Sequence, residues 1–375
     1  MTITRPHGYG FLPGIVCCER RPDAGPWQPA WGWAAALLAA IMLAGFALPA
    51  SAGEAASQIW LVSTRSAPHD GIPLPGPSCL DYWRLAGKGG QSSFAGTAQR
   101  VLRTNGDCPP FPADGESEWS PADAKTFHSS DDPAVPTVVF IHGNRNDADE
   151  AVETGWCTYQ SIRSQTDRPL RYVIWSWPAD REFRRNRPDA RLKAAWSDVD
   201  AWYLAQWLAE FRPGVRVSLI GHSFGPRIIT GALHLLAGGQ LAGCGLPEKA
   251  VAAWSTGKRN PIRAVLLAAA LDYDWLAPGG CHERALLLVD QVLVTCNPCD
   301  RALRWYSRMD GRGGPPALGS VGPCGVENAK NLELINVSAT VGRLHDYREY
   351  NAAPDVSSRW ARYTFGEELP LPSAL

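Results

Sequence analysis

The chain has 375 residues, of which 45% are hydrophobic and 19% charged, enough apolar material for one large core or two smaller ones and too much for a disordered chain. Its 36 basic and 37 acidic residues leave a formal net charge of -1. No overall positive field exists to hold a nucleic-acid backbone, so neither nucleic acid nor another polyanion is expected as a partner.

At the N-terminus, Arg5, Arg20 and Arg21 precede an uncharged stretch rich in Ala and Leu, residues 31–49, which ends at the small-x-small sequence Ala50-Ser51-Ala52. The stretch is short for a spanning helix, which needs about 20 apolar residues. Residues 1–52 are therefore expected to be a cleaved export signal, with an uncleaved membrane anchor over 31–49 and a buried helix as the alternatives. The expected location is periplasmic or secreted. Without residues 1–52 the chain keeps eight cysteines, at positions 79, 108, 157, 244, 281, 296, 299 and 324, an even number that suits disulfide pairing in an oxidising compartment. Zinc is the competing reading of Cys296-Asn297-Pro298-Cys299, but no second close cysteine or histidine pair stands at ligand spacing. No metal and no cofactor is expected.

Residues 59–64 read as a strand. The following region up to Pro136 is rich in Gly, Pro and Ser and reads as loop and decoration over a domain. From Thr137 the pattern changes. Short apolar runs bounded by turn residues occur at 137–141, 172–177, 215–220, 262–271, 291–295 and 332–337, most of them separated by enough chain for a crossover helix. The clearest helix is 189–211, with Leu192, Ala195, Trp196, Val199, Trp202, Tyr203 and Trp207 at helical spacing, and Pro213-Gly214 stops it. This alternation predicts an α/β fold with a mostly parallel central sheet and helices on both faces. No internal repeat is present, so residues 53–375 are expected to form one catalytic domain, with 53–136 as its N-terminal strand and loop-rich decoration.

The run 215–220 leads into Gly221-His222-Ser223-Phe224-Gly225 and then into a helical segment. A strand, G-x-S-x-G and a helix in succession is the setting in which the motif marks a nucleophile elbow: the turn projects the serine above the sheet, and the glycines remove Cβ atoms that would clash. The bland reading is a glycine-rich turn that binds an anion at a helix N-terminus.

With these residues the chain resembles the α/β-hydrolase superfamily over roughly residues 137–347, and within it the esterase-like bacterial branch whose substrates are largely uncharacterised. A second mark lies upstream, where Val138-Val139-Phe140-Ile141 runs into His142-Gly143-Asn144. The resemblance implies an oxyanion hole from the backbone amides of Asn144 and Phe224; Asn144-Arg145-Asn146 replaces the glycine run of many lipases. It also implies the chain order serine, acid, histidine.

Of the histidines after Ser223, His234 falls inside the helix and His282 comes before the last two strands, whereas His345 follows the last strand, where the superfamily places its base. Asp300 follows the next-to-last strand and opens Asp300-Arg301-Ala302-Leu303, which resembles the Asp-x-Ala-Leu stretch of that branch. Asp272, with Asp274 beside it, is the alternative acid. Disulfides at Cys296 and Cys299 would stiffen the loop carrying Asp300. The implied function is cleavage of a small-molecule ester by Ser223, His345 and Asp300 through an acyl-enzyme. The alternatives are an acyltransferase on the same fold and a non-catalytic envelope-associated binding protein. The basic cluster Arg181, Arg184, Arg185, Arg187 and Arg191 is either a meeting point for an acidic substrate group or a solvated helix entry. Most of the 16 tryptophans, Trp175, Trp177, Trp196, Trp202 and Trp207 among them, are expected in the core.

Overall fold

The computed structural model describes residues 57–70, 79–87, 117–255, 259–309 and 313–366, all within one compact unit, 54–375. The expected export signal lies outside the described residues. Nine strands are present among the described residues: β1 (Gln58–Ser63), β2 (Asp81–Gly87), β3 (Ser117–Ala122), β4 (Thr137–Ile141), β5 (Arg171–Ser176), β6 (Val217–His222), β7 (Ile262–Leu267), β8 (Gln291–Cys296) and β9 (Leu332–Asn336). The helices in chain order are α1 (Ala124–Ser129), α2 (Ala148–Arg163), α3 (Asn186–Ala209), α4 (Gly225–Leu236), α5 (Glu248–Ser255), α6 (Ala285–Leu288), α7 (Arg301–Tyr306), α8 (Leu318–Val321), α9 (Ser338–Val341), α10 (Tyr347–Ala352), α11 (Pro354–Ser357) and α12 (Trp360–Phe365).

The strands form one sheet in the order β3-β2-β1-β5-β4-β6-β7-β8-β9. From β1 to β9 every pairing is parallel, while β2 runs antiparallel to both β1 and β3. The central strands β4, β5 and β6 are buried at every position, which is why they read as continuous apolar runs and not as alternating ones. Helices α3, α4, α5 and α6 pack together as one layer, and α2, α10 and α12 contact the sheet or each other as a second. Among the described residues no helix is long and apolar enough to cross a membrane.

The α/β architecture expected from the sequence holds, but the region before Pro136 is more than loop. Strands β2 and β3 and helix α1 extend the sheet with an antiparallel edge, and Phe127 of α1 is fully buried against Trp60 and Trp207. Pro121 sits in β3 opposite Trp83. An edge strand tolerates a proline because one side of its backbone needs no ladder partner, so the residue that marks a loop in the sequence is compatible with a strand here. Helix α3 begins at Asn186, before Pro188, because the first helical turn does not need the missing proline N–H. Strand β7 ends at Leu267, since Ala268 turns into the left-handed region at φ 47°.

Candidate active site

Chain connections leave β4 in both directions: the next strand, β5, lies on one side of it and β6 on the other. Such a reversal opens a crevice at the C-terminal ends of the parallel strands, where α/β proteins bind their ligands. The loops after β4, β6, β8 and β9 carry Asn144, Ser223, Asp300 and His345 respectively, all at that edge.

Ser223 links β6 to α4 with φ 57°, a left-handed conformation that a residue with a Cβ adopts only when its surroundings impose it. Two backbone bonds impose it: the Ser223 amide donates to the Leu267 carbonyl at 3.0 Å, and the Ala270 amide donates to the Ser223 carbonyl at 2.9 Å. The flanking glycines are sterically required. A Cβ on Gly221 would lie 2.6 Å from the carbonyl carbon of Gly225, and one on Gly225 would collide with the Ile141 carbonyl at the end of β4.

His345 lies between α9 and α10, its side chain 25% exposed. Its Nδ1 is 2.8 Å from Asp300 Oδ2 and its Nε2 is 2.9 Å from Ser223 Oγ. An ionised carboxylate can only accept, so the ring proton sits on Nδ1 and the Nε2 lone pair faces the serine hydroxyl. Asp300 is fully buried and caps the N-terminus of α7. Its Oδ1 accepts from the amides of Ala302 and Leu303 at 2.8 and 3.1 Å, and its Oδ2 accepts from the Tyr350 hydroxyl at 2.8 Å in addition to His345. Four donors thus hold a charge that would be costly to bury alone.

Asn297 ties this acid turn to the histidine loop: its Nδ2 donates to the Gly342 carbonyl at 3.0 Å and to Tyr350 Oη at 3.3 Å, and its Oδ1 accepts from the Cys299 amide at 3.1 Å. The expected disulfides at Cys296 and Cys299 are not formed. Both are free thiols, Cys296 buried with its Sγ 3.4 Å from the Ser320 carbonyl and Cys299 exposed on the turn. The loop is held by Asn297 and by Asp300 itself. Cys244, Cys281 and Cys324 are also free thiols, whereas Cys157 is disulfide-bonded. Among the described residues no group of three or more His, Cys, Asp or Glu side chains is arranged to hold a metal ion.

Asn144 and Phe224 line the same crevice, and among the described residues no hydrogen bond runs from either backbone amide to a protein acceptor. The loop bearing Asn144 is pinned from below. His142 donates through Nδ1 to the Gly143 carbonyl at 2.9 Å and accepts the Trp177 amide at Nε2 at 3.2 Å, while Trp177 Nε1 donates to the His142 carbonyl at 2.9 Å. Complete burial, the nearby Arg65 charge adding to it, depresses the His142 pKa to about 3, so the ring stays neutral and keeps this two-way bond pattern. His222, whose ring centroid is 5.1 Å from that of His345, is likewise pushed well below the ordinary value, first by burial and then by the charge of its neighbour. It therefore does not compete for the proton that His345 would take.

The alternative acid, Asp272, does not reach His345. Its Oδ1 accepts from Tyr306 Oη at 2.7 Å and its Oδ2 from Trp275 Nε1 at 2.9 Å, and burial raises its pKa. His234 is fixed within the protein by the amides of Gln240 and Arg284, each at 3.2 Å, and His282 by Thr230 Oγ1 at 2.8 Å. Neither approaches Ser223. Tyr350, Asn297 and the neutral histidines at 142 and 222 are additions from the structure. The first two stand close in sequence to His345 and Asp300, and that proximity was their one signal.

Ser223, Phe224, Asn144 and His345 line a cavity of about 280 Å³ with Arg145, Asn186, Ala190, Ala270, Ala302, Leu303, Trp305, Tyr306 and Met309. Arg145, whose φ is 67°, is engaged at both ends: its amide donates to the Ala179 carbonyl at 2.7 Å, Nη2 donates to Asn186 Oδ1 at 2.6 Å, and Nε lies 3.5 Å from buried Asp189.

The family described as "Alpha/beta hydrolase of unknown function (DUF900)" matches residues 122–323, a span that holds Ser223 and Asp300 and ends before His345. Neither the curated proteins nor the solved structures contain a match to the chain. The matched span exceeds half of the 375 residues and includes β4 to β8, so the chain belongs to the DUF900 family of alpha/beta hydrolases.

Proposed function

We propose that the protein is a serine hydrolase that cleaves carboxylic esters through an acyl-enzyme, with Ser223 as nucleophile, His345 as general base and acid, and Asp300 as the group that orients the imidazole. The observation that carries the reading is the continuous set of hydrogen bonds from Ser223 Oγ through His345 to Asp300, 2.9 and 2.8 Å long, starting from a serine held at φ 57°.

A serine hydroxyl is a weak nucleophile at neutral pH. As Oγ attacks the ester carbonyl, its proton passes to His345 Nε2, and the buried Asp300 carboxylate stabilises the imidazolium that forms. The carbonyl oxygen becomes an oxyanion facing the Asn144 and Phe224 amides, each worth about 3 kcal/mol of barrier in comparable sites. The imidazolium protonates the departing alcohol, leaving the acyl group on Oγ. Water, deprotonated by the same imidazole, attacks next, and collapse of the second oxyanion releases the carboxylic acid and restores Ser223. General base catalysis of this type contributes about 10²- to 10⁴-fold.

The test is turnover of 4-nitrophenyl esters by the wild type and by Ser223→Ala. The substitution removes only an oxygen, so the variant folds with an unchanged circular dichroism spectrum and loses turnover. Retained turnover would refute the reading. Recovery of a transesterified product with added alcohol would assign the second step to an acyltransferase.

A further inference from the structure

Strand β1 runs parallel to β5, so the turn that follows it, 64–67, emerges at the same edge of the sheet as the loops carrying the site. That turn is fixed in place. The Thr64 amide donates to the Ser176 carbonyl at 3.0 Å, the Ala67 amide to the Thr64 carbonyl at 2.9 Å, and the Arg65 amide to Ser63 Oγ at 3.2 Å. From there the Arg65 side chain, 17% exposed, reaches across the end of β5 to the loop after β4. All three guanidinium nitrogens are engaged. Nε donates to Ser176 Oγ at 2.8 Å, Nη1 pairs with Asp180, and Nη2 donates to the Asn146 carbonyl at 3.0 Å. One fork thus joins the ends of β1, β5 and β4.

Between Asn144 and Asn146 stands Arg145, at φ 67°. A side chain in the left-handed region crowds its own carbonyl, so such a kink lasts only where the chain is held on both sides. On one side the Arg145 amide donates to the Ala179 carbonyl at 2.7 Å. On the other the Asn146 carbonyl accepts from Arg65, and among the described residues no backbone amide competes for it. The bonds of the Arg145 side chain to Asn186 and Asp189 anchor its tip and leave the peptide planes free to turn. Without the Arg65 guanidinium one side of the kink is open. Arg145 can then relax, and the Asn144 amide next to it loses its fixed direction.

The bland reading is a surface ion pair between Arg65 and Asp180, whose side chain is 46% exposed. Exposed pairs contribute little. A surface pair needs one nitrogen, whereas here the other two go to a buried serine and to a loop carbonyl. The planar fork of an arginine suits three such acceptors at fixed angles, which a lysine cannot meet together. The same charge reaches His142 and adds to the burial that keeps this ring neutral, and so able to accept the Trp177 amide. Both ends of the segment 142–146 therefore depend on Arg65.

Resting on the hydrolase reading, we propose that Arg65 is a positioning residue for the oxyanion hole: its guanidinium clamps the Asn146 carbonyl to the ends of β1 and β5 and so fixes the direction of the Asn144 amide. The N-terminal strand is then part of the catalytic apparatus and not decoration laid over it. Arg65 touches no reacting atom. Because it acts through the loop, its effect is confined to the charge that develops on the carbonyl oxygen, which exists in the transition state and not in the bound ester.

The experiment pairs turnover of 4-nitrophenyl butyrate with inhibition by hexyl trifluoromethyl ketone. Ser223 Oγ adds to the ketone carbon, its proton passes to His345 Nε2, and the carbonyl π electrons become an oxyanion with no leaving group to expel. In Arg65→Gln, kcat per titrated active site is expected to fall by about 10- to 100-fold, with KM changed by less than about threefold. The ketone Ki is expected to rise by about the factor by which kcat falls. Arg65→Lys, which keeps the charge but not the fork, loses less of both in the same proportion. A folded Arg65→Gln with wild-type kcat and Ki, a loss of kcat with Ki unchanged, or a loss confined to KM overturns the proposal. A merely structural role gives that first result, with a lower Tm and fewer active sites. Should Arg65→Gln not fold, Arg65→Lys decides: a parallel loss supports the clamp, and wild-type values overturn it. A wild type without turnover, or turnover retained in Ser223→Ala, removes the hydrolase reading itself. A Ser223-dependent enzyme indifferent to residue 65 loses the clamp alone.

Discussion

His345 with Asp300 and His69 with Asp200 are both histidine–aspartate pairs at hydrogen-bond distance, 2.8 and 2.6 Å, yet their second ring nitrogens face different groups. In the first pair Nε2 faces the Ser223 hydroxyl, a donor, at 2.9 Å. In the second, Nδ1 faces the Ala67 carbonyl, an acceptor, at 2.8 Å. A ring between two acceptors satisfies both only as the doubly protonated cation, so His69 has no lone pair with which to take a proton. Burial alone would lower the His69 pKa, but the hydrogen bond and charge of Asp200 outweigh it and raise the value. Asp200 also accepts from Thr64 Oγ1 at 3.0 Å and Trp175 Nε1 at 2.9 Å, which ties the segment after β1 to β5 and α3. On the proposed reading one pair moves a proton, and the geometry of the other lets it hold one. What separates them is the neighbour of the second nitrogen, not the pair itself.

Substitutions sharpen this contrast. Removing the imidazole in His345→Ala, or the hydroxyl in Ser223→Ala, is expected to lower kcat by about 10⁴- to 10⁶-fold, measured as ester turnover. Asp300→Asn keeps the shape but no longer fixes the Nδ1 proton, with an expected loss of about 10⁴-fold in kcat. Tyr350→Phe removes one donor from Asp300 Oδ2; a bond to a charged group is worth about 1.5–3 kcal/mol at most, so kcat/KM falls by about 10-fold. With the carboxylate charge less shared, the imidazolium is held more tightly and the acidic limb of the pH–rate profile moves to higher pH. A purely structural role for Tyr350 would leave that limb in place.

The smallest effect on turnover is expected at the other pair. Asp200→Asn leaves a buried ring without its counter-charge, a change that costs about 3–5 kcal/mol of stability in comparable pairs, read as a lower Tm, while turnover at 25 °C stays within about twofold. Because the folded His69 pKa is raised, its contribution to stability is complete below the unfolded value near 6.5 and is lost as pH rises through the higher folded value. Asp200→Asn should therefore also flatten the decline of Tm on the alkaline side. An unchanged decline would show that His69 is not held as the cation.

The contrast also explains what could be read from the sequence. Ser223 was legible because its strand, its two glycines and its helix are contiguous. Asp300 and His345 were legible through the resemblance, which implies the order serine, acid, histidine and acid and base positions after late strands, with Asp272 as the alternative acid; a parallel sheet brings such strand ends to one edge. Tyr350 was not, since a tyrosine one turn into α10 meets Asp300 only if that helix has a particular rotation, which tertiary packing sets. His69 and Asp200 were invisible for the same reason: they are 131 positions apart, and no local pattern connects them. Strands β2 and β3 were hidden by Pro121 and by a serine-rich edge that needs few apolar side chains. Cys296 and Cys299 suggested disulfides by count alone, and the geometry of the turn directs one thiol inward and the other to solvent.

The most direct measurement is active-site labelling of the full chain with a fluorophosphonate, followed by peptide mass analysis. The expected outcome is a single adduct on Ser223 that forms slowly or not at all in His345→Ala and forms normally in Asp200→Asn. A folded wild type that takes up no label, or that carries it on another residue, would contradict a nucleophile at the turn between β6 and α4.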